Sequence, residues 1–136
     1  MNSTSPDYWT AGGVLLGFQV TAMWWRVQRE VSISKPNIPI RISPADYLNL
    51  AAMMVLGIGV FIYPTLFTPA PDVQRLALGL SSILFIGHAF GLIAHYDLFN
   101  PNTARPGKYC PRPEKFAVTA TAAAAIIYLL LAIGSL

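Results

Sequence analysis

Leu76–Tyr96 reads LALGLSSILFIGHAFGLIAHY, with no Asp, Glu, Lys or Arg. A helix needs ~20 apolar residues to cross a bilayer core of about 30 Å, so this stretch can span one. Three further windows share the property: Tyr8–Trp25, Tyr47–Phe67 and Phe116–Leu136. Buried helices of a soluble bundle would carry a polar stripe on their outer face. These windows carry none. Composition agrees: 11% of the 136 residues are charged and mean hydropathy is +0.52, against about 25% charged in a soluble domain. The expected fold is all-α and polytopic. A single four-helix transmembrane domain, residues 1–136, forms an up-down bundle.

The window starts carry helix-opening signals: Pro6-Asp7, Ser43-Pro44-Ala45-Asp46, Pro71-Asp72 and Pro113-Glu114. Proline suits the first turn, where its missing N–H would be unpaired anyway. An acid there meets the positive end of the helix dipole and the free N–H groups. Ser43 and Asp46 have capping-box spacing. Four of the six acidic residues thereby gain a capping role, leaving Glu30 and Asp97.

Orientation follows from the basic residues. Arg26, Arg29, Lys35 and Arg41 lie in the loop 26–46, and Arg105, Lys108, Arg112 and Lys115 in the loop 97–115. Only Arg75, in the short middle loop, falls elsewhere. Lys and Arg are retained in the cytoplasm, so both basic loops face inward and the termini are non-cytoplasmic. Tyr8, Trp9 and Tyr63 then anchor outer ends, and Trp24, Trp25, Tyr47 and Tyr96 inner ones. The first window has neither a basic region before it nor a small-residue cleavage site after it, and reads as an N-out anchor. A prokaryotic inner (plasma) membrane is the expected location. The net charge of +3 reflects this loop bias and does not point to nucleic acid. Both basic loops are proline-rich, through Pro36 and Pro39, and through Pro101, Pro106 and Pro111. They read as connectors or docking segments.

Within the windows the polar residues are few. His88 and His95 are seven apart and share a face, His95 about 10 Å nearer the cytoplasm. Gln19 matches the depth of His88, while Asn49 and Asp46 approach that of His95. Ionisable groups in a membrane face the bundle interior. The expected pairs are Gln19 with His88, and Asn49 or Asp46 with His95. Either histidine could also hold a cofactor, as an axial haem ligand or a quinone contact, or relay protons. Gly13-x-x-x-Gly17 and Gly87-x-x-x-Gly91 are small-residue surfaces for close helix packing, within the chain or against a partner.

Other chemistries find little here. There is no H-E-x-x-H, C-x-x-C, G-x-S-x-G or phosphate-cradling loop. No catalytic residue and no metal ligand is assigned. Cys110, the sole cysteine, lies on a basic loop. The expected function is a small accessory or assembly subunit of a larger membrane complex, using helix surfaces and cytoplasmic loops as contacts. Its partners are then lipid and other membrane subunits or itself. One alternative is a redox or proton-handling protein acting through His88 and His95. The other is a homo-oligomeric transporter or channel, although no membrane-embedded charge beyond histidine is evident.

Overall fold

A computed structural model describes residues 7–33, 42–67, 71–96 and 111–134. These residues form helices and no strand. α1 is Tyr8–Ile33, and α2 is Pro44–Leu56. α2 continues through a π-helical segment, Gly57–Ile62, into the final turn α3, Tyr63–Leu66. α4 is Pro71–Tyr96 and α5 is Arg112–Gly134. The described residues thus form four rods, the second being α2, the π segment and α3 end to end. α4 is central: it packs on α2, α5, the π segment and α1. Pro36, Pro39, Pro101, Pro106, Asp97 and Cys110 lie outside the described residues.

Three rods are long and apolar enough to cross a membrane: Pro44–Leu66, Pro71–Tyr96 and Arg112–Gly134. α1 has 26 residues, about 39 Å at 1.5 Å per residue. It falls short on apolarity because Gln19, its glycines and its tyrosine and tryptophans dilute Val14–Leu16 and Phe18. It also runs further than its apolar window. Arg26, Arg29 and Glu30, expected in a loop, sit on its last turns. Straight-chain charged residues are good helix formers, and here they stay in register with the face that contacts the other helices.

The packing inverts that of a soluble bundle. Among the described residues, Ala45, Ala52, Leu56, Val60, Ala77 and Ala125 are the buried apolar ones. The buried polar or charged residues are more numerous, from Gln19 and Gln74 to Arg26 and Glu114. Trp24, Trp25, Phe18, Phe90, Phe116, Leu130 and Leu131 point outward. Such a surface suits hydrocarbon, where apolar side chains lose nothing by exposure.

Glycines set the closest approaches. A Cβ on Gly91 would lie 2.6 Å from Ala45 Cβ, and one on Gly87 would overlap Thr121. Gly13 and Gly17 have open space around them. Of the two expected uses, close packing within the chain is not seen for this pair among the described residues. Gly12, one residue earlier, faces inward instead, its added Cβ falling 2.8 Å from Val60 Cγ1.

The π segment has an identifiable cause. Pro64 has no N–H to offer the carbonyl four residues back, and its ring crowds that carbonyl. That carbonyl belongs to Val60. Widening the turn relieves the clash, and Tyr63 N–H bonds Ile58 O, five residues back. Gln74 on α4 then donates to Val60 O at 3.3 Å, supplying the partner that proline withholds. At the other end of the chain, Asp7 caps α1 by accepting from Thr10 N at 3.1 Å and from the Thr10 hydroxyl. These bonds hold the Asp7 carboxyl below its ordinary range, the Thr10 hydroxyl contributing most.

Candidate functional site

Polar residues enter the bundle at a seven-residue interval. α4 places Gln74, Ser81, His88 and His95 on one inward face. α1 contributes Gln19 and Arg26, and α5 contributes Glu114, Thr121 and Tyr128. Seven residues are close to two helical turns, so each set forms a stripe along its helix. The α4 stripe covers 21 residues, about 31 Å, comparable to the thickness of the hydrocarbon core.

At the basic-loop end the stripes meet in an ionic cluster. Arg26 bridges two carboxylates, with Nη1 2.6 Å from Glu30 Oε1 and Nε 3.2 Å from Asp46 Oδ2. Asp46 Oδ2 also accepts from Ser43 N at 2.8 Å, capping its own helix. Tyr96 OH donates to Glu30 Oε1 at 3.1 Å, and Arg29 stacks 4.3 Å above the Tyr96 ring. Glu114 is fully buried. Its Oε1 accepts from Ala45 N at 3.2 Å and its Oε2 lies 2.6 Å from His95 Nδ1. Glu114 therefore lies in the first turn of its own helix, as expected, while its side-chain oxygens cap α2 and meet His95. Among the described residues at least nine-tenths buried, the charges are one arginine against three carboxylates.

Deeper in the bundle the contacts are neutral. His88 is 1% exposed, and its Nδ1 lies 2.9 Å from Ala45 O. Asn49 Nδ2 donates to Gln19 O at 3.0 Å. Gln19 Nε2 donates to Ser81 Oγ at 2.8 Å, and Ser81 Oγ donates to Ala52 O at 2.9 Å. The expected pairs are thus replaced: Gln19 meets Ser81 instead of His88, and His95 meets Glu114 instead of Asn49 or Asp46. α1 and α4 run the same way, with Arg26 and Glu30 meeting Tyr96 at one end. Gln19 reaches the level of Ser81, two α4 turns further from the basic-loop end than His88.

The expectation of no embedded charge beyond histidine is also corrected. Arg26, Glu30, Asp46 and Glu114, which the sequence offers as loop charges or helix caps, all lie inside the bundle. Ser81 and Gln74 join them, at seven-residue spacing from His88. The cofactor roles expected of the histidines meet full surroundings. His88 sits beside Phe85, ring centres 6.2 Å apart, and is enclosed on the α2 side. A groove of about 740 Å³ runs along α4 and α5, but Ile86, Phe90, Phe116 and Ala120 line it and neither histidine does. A haem on His88 Nε2 would need a ring-sized opening beside it, whereas this side chain is 1% exposed and lines neither groove, so haem does not fit there. His95 and Tyr96 both already hold carboxylates, through Glu114 and Glu30.

Chemically, the arrangement sets carboxylates against an imidazole and a phenol, each a group that can carry a proton. No family model, curated protein or solved structure matches the chain.

Proposed function

We propose that this chain is a four-span, N-out/C-out membrane protein that handles protons through its ionic cluster at the cytoplasmic ends of the helices. The observation that carries this reading is Glu114, fully buried and 2.6 Å from His95 Nδ1. A buried carboxylate is costly unless paired, and its partner is the side chain type that ordinarily gains or loses a proton at about pH 5–8. Intramembrane ionisable groups are costly enough that they usually mark a pathway or relay. Eight basic residues in the two loops of one side or on the helix ends that flank them support the orientation.

The test is infrared difference spectroscopy of the protein in lipid across a pH step. A carboxyl signal that disappears in Glu114→Gln and shifts in His95→Gln is expected. No Glu114-dependent signal over that range would remove the reading.

A second reading is an accessory or assembly subunit. It is supported by the open faces: Gly13 and Gly17 with nothing near them, and the α4–α5 groove floored by Gly87, Ala117 and Ala124. Small residues let a further helix approach closely. A stoichiometric partner retained in mild detergent, and lost in Gly13→Leu/Gly17→Leu, would support it.

A further inference from the structure

The hydrogen bonds around His88 leave a line of atoms of one kind. Ala45 O can only accept, so His88 Nδ1 carries the proton and Nε2 is a bare acceptor. Gln19 O can only accept, which orients the Asn49 amide with Nδ2 toward it and Oδ1 away. Ser81 spends its proton on Ala52 O, so Gln19 presents Nε2 to it and keeps Oε1 free. Asp46 uses Oδ2 for Arg26 and Ser43. Asp46 Oδ1, His88 Nε2, Asn49 Oδ1 and Gln19 Oε1 are buried without a hydrogen-bond partner, as is the Ser43 hydroxyl at the cluster end. The first four are acceptors. They cannot satisfy one another.

Their order along the bundle follows from the helices that carry them. Asp46 and Asn49 are about one turn apart on α2. His88 joins at the carbonyl between them, and Gln19 reaches the level of Ala52. Acceptors stepped by about one turn suit a file of water molecules, each donating to the next polar atom. They do not converge on one point as the ligands of a single ion would. The file begins at the ionic cluster and ends at Ser81.

Beyond Ser81 the interior changes. Leu56, Val60 and Ala77 form the buried apolar cluster, with Leu15 and Leu16 of α1 against it. Gln74 resumes the polar stripe on the far side, bonded to Val60 O. Val60 belongs to the π segment, Leu56 immediately precedes it, and Gly59 meets Ala77 across the interface. An apolar constriction between two polar stretches blocks water and ions by dewetting.

We propose that the bundle is a proton half-channel, hydrated from the cytoplasmic cluster to Ser81 and shut by a Leu56/Val60/Ala77 plug. It deepens the proton reading of the same cluster by naming the path and its gate. The conducted species is the proton, passed along water and polar side chains with no bond to carbon made or broken. The π segment places the plug on the part of the rod whose hydrogen-bond register is already irregular, so a return to α-helical register would rotate Val60.

The experiment uses the full chain in liposomes with an internal pH dye and an imposed membrane potential. Wild type is expected to pass protons slowly. Leu56→Asn, and separately the isosteric Val60→Thr, should raise flux by about tenfold or more by wetting the plug. Adding Asn49→Leu to either should return flux to the wild-type level. Folding of each variant is checked by circular dichroism, and Val60→Thr carries the test if Leu56→Asn does not fold. Unchanged flux in a folded Val60→Thr protein overturns the proposal. So does a leak that survives Asn49→Leu, because it would bypass the file. A plug variant that conducts while Glu114 gives no infrared signal would sink the Glu114 reading and leave the path standing. A Glu114 signal without plug-dependent flux would do the reverse.

Discussion

Glu114 does the work of two residues in two helices. One oxygen satisfies the Ala45 N–H at the start of α2, and the other meets His95. Glu114→Ala orphans a buried donor and removes the partner of the partly buried His95 imidazole. Breaking a buried pair on one side costs about 3–5 kcal/mol, and membrane hydrogen bonds sit at the weaker end of such figures. We expect a loss of about 3 kcal/mol in reversible denaturation in mixed micelles. Glu114→Gln keeps an acceptor for Ala45 and should lose less than half of that. Equal losses would mean that the charge, and not the cap, carries the stability. Arg26 makes a parallel case. Its guanidinium reaches Glu30 and Asp46 from different nitrogens, and the single ammonium of lysine cannot span both. Arg26→Lys should therefore cost about 1–2 kcal/mol in the same measurement, although the formal charge is kept.

At the scale of the helix, the π segment in the second rod joins the roles of Pro64 and Gln74. Proline removes the donor for Val60 O, and Gln74 replaces it from α4 at 3.3 Å. The two side chains should be coupled. Gln74→Leu is expected to cost about 1 kcal/mol in the native chain and close to nothing once Pro64→Ala has restored the backbone donor. A double-mutant cycle in micelles reads this directly, and additive losses would show that the two are independent. Much of this level was legible in the sequence. The rods of Leu76–Tyr96 and Tyr47–Phe67 follow from uncharged length, and Pro-acid pairs mark where α2 and α4 begin. Gly87 and Gly91 announce a close approach by their four-residue spacing. That spacing does not say which way a glycine faces, which is why Gly13 and Gly17 look equivalent and are not. The partner of a polar side chain was not legible either. Gln19 and His88 look matched in depth along the sequence, but Gln19 reaches the level of Ser81 in the bundle. Arg26 and Glu114 were hidden for another reason: each satisfies a local rule, for loop charge or helix capping, that leaves their three-dimensional partners undetermined.

For the whole molecule, the first helix is the decisive question, because α1 is less apolar than the other rods. Its polar residues are not spread around it. Gln19, Arg26 and Glu30 are buried against α2 and α4, while Val14, Phe18, Val20, Trp24 and Trp25 point outward. Hydropathy averaged along the chain charges the inward residues to lipid they never touch. A helix that buries its polar stripe in a bundle can cross with a lower average, and α1 at 26 residues is long enough. Crossing also fixes where the termini lie. We expect Ser3→Cys and Ala70→Cys, each made in a Cys110→Ser background, to react with a membrane-impermeant maleimide in intact cells. Ser34→Cys and native Cys110 should react only after permeabilisation. Protection of Ser3→Cys with labelling of Ala70→Cys would mean that α1 lies along the inner surface, and the four-span reading would fall to three. Labelling of Cys110 from outside would invert the bundle. Either result would also move the Arg26–Glu30–Asp46 cluster to a different environment, so the proton readings stand or fall with the side of the membrane on which Ser3 is found.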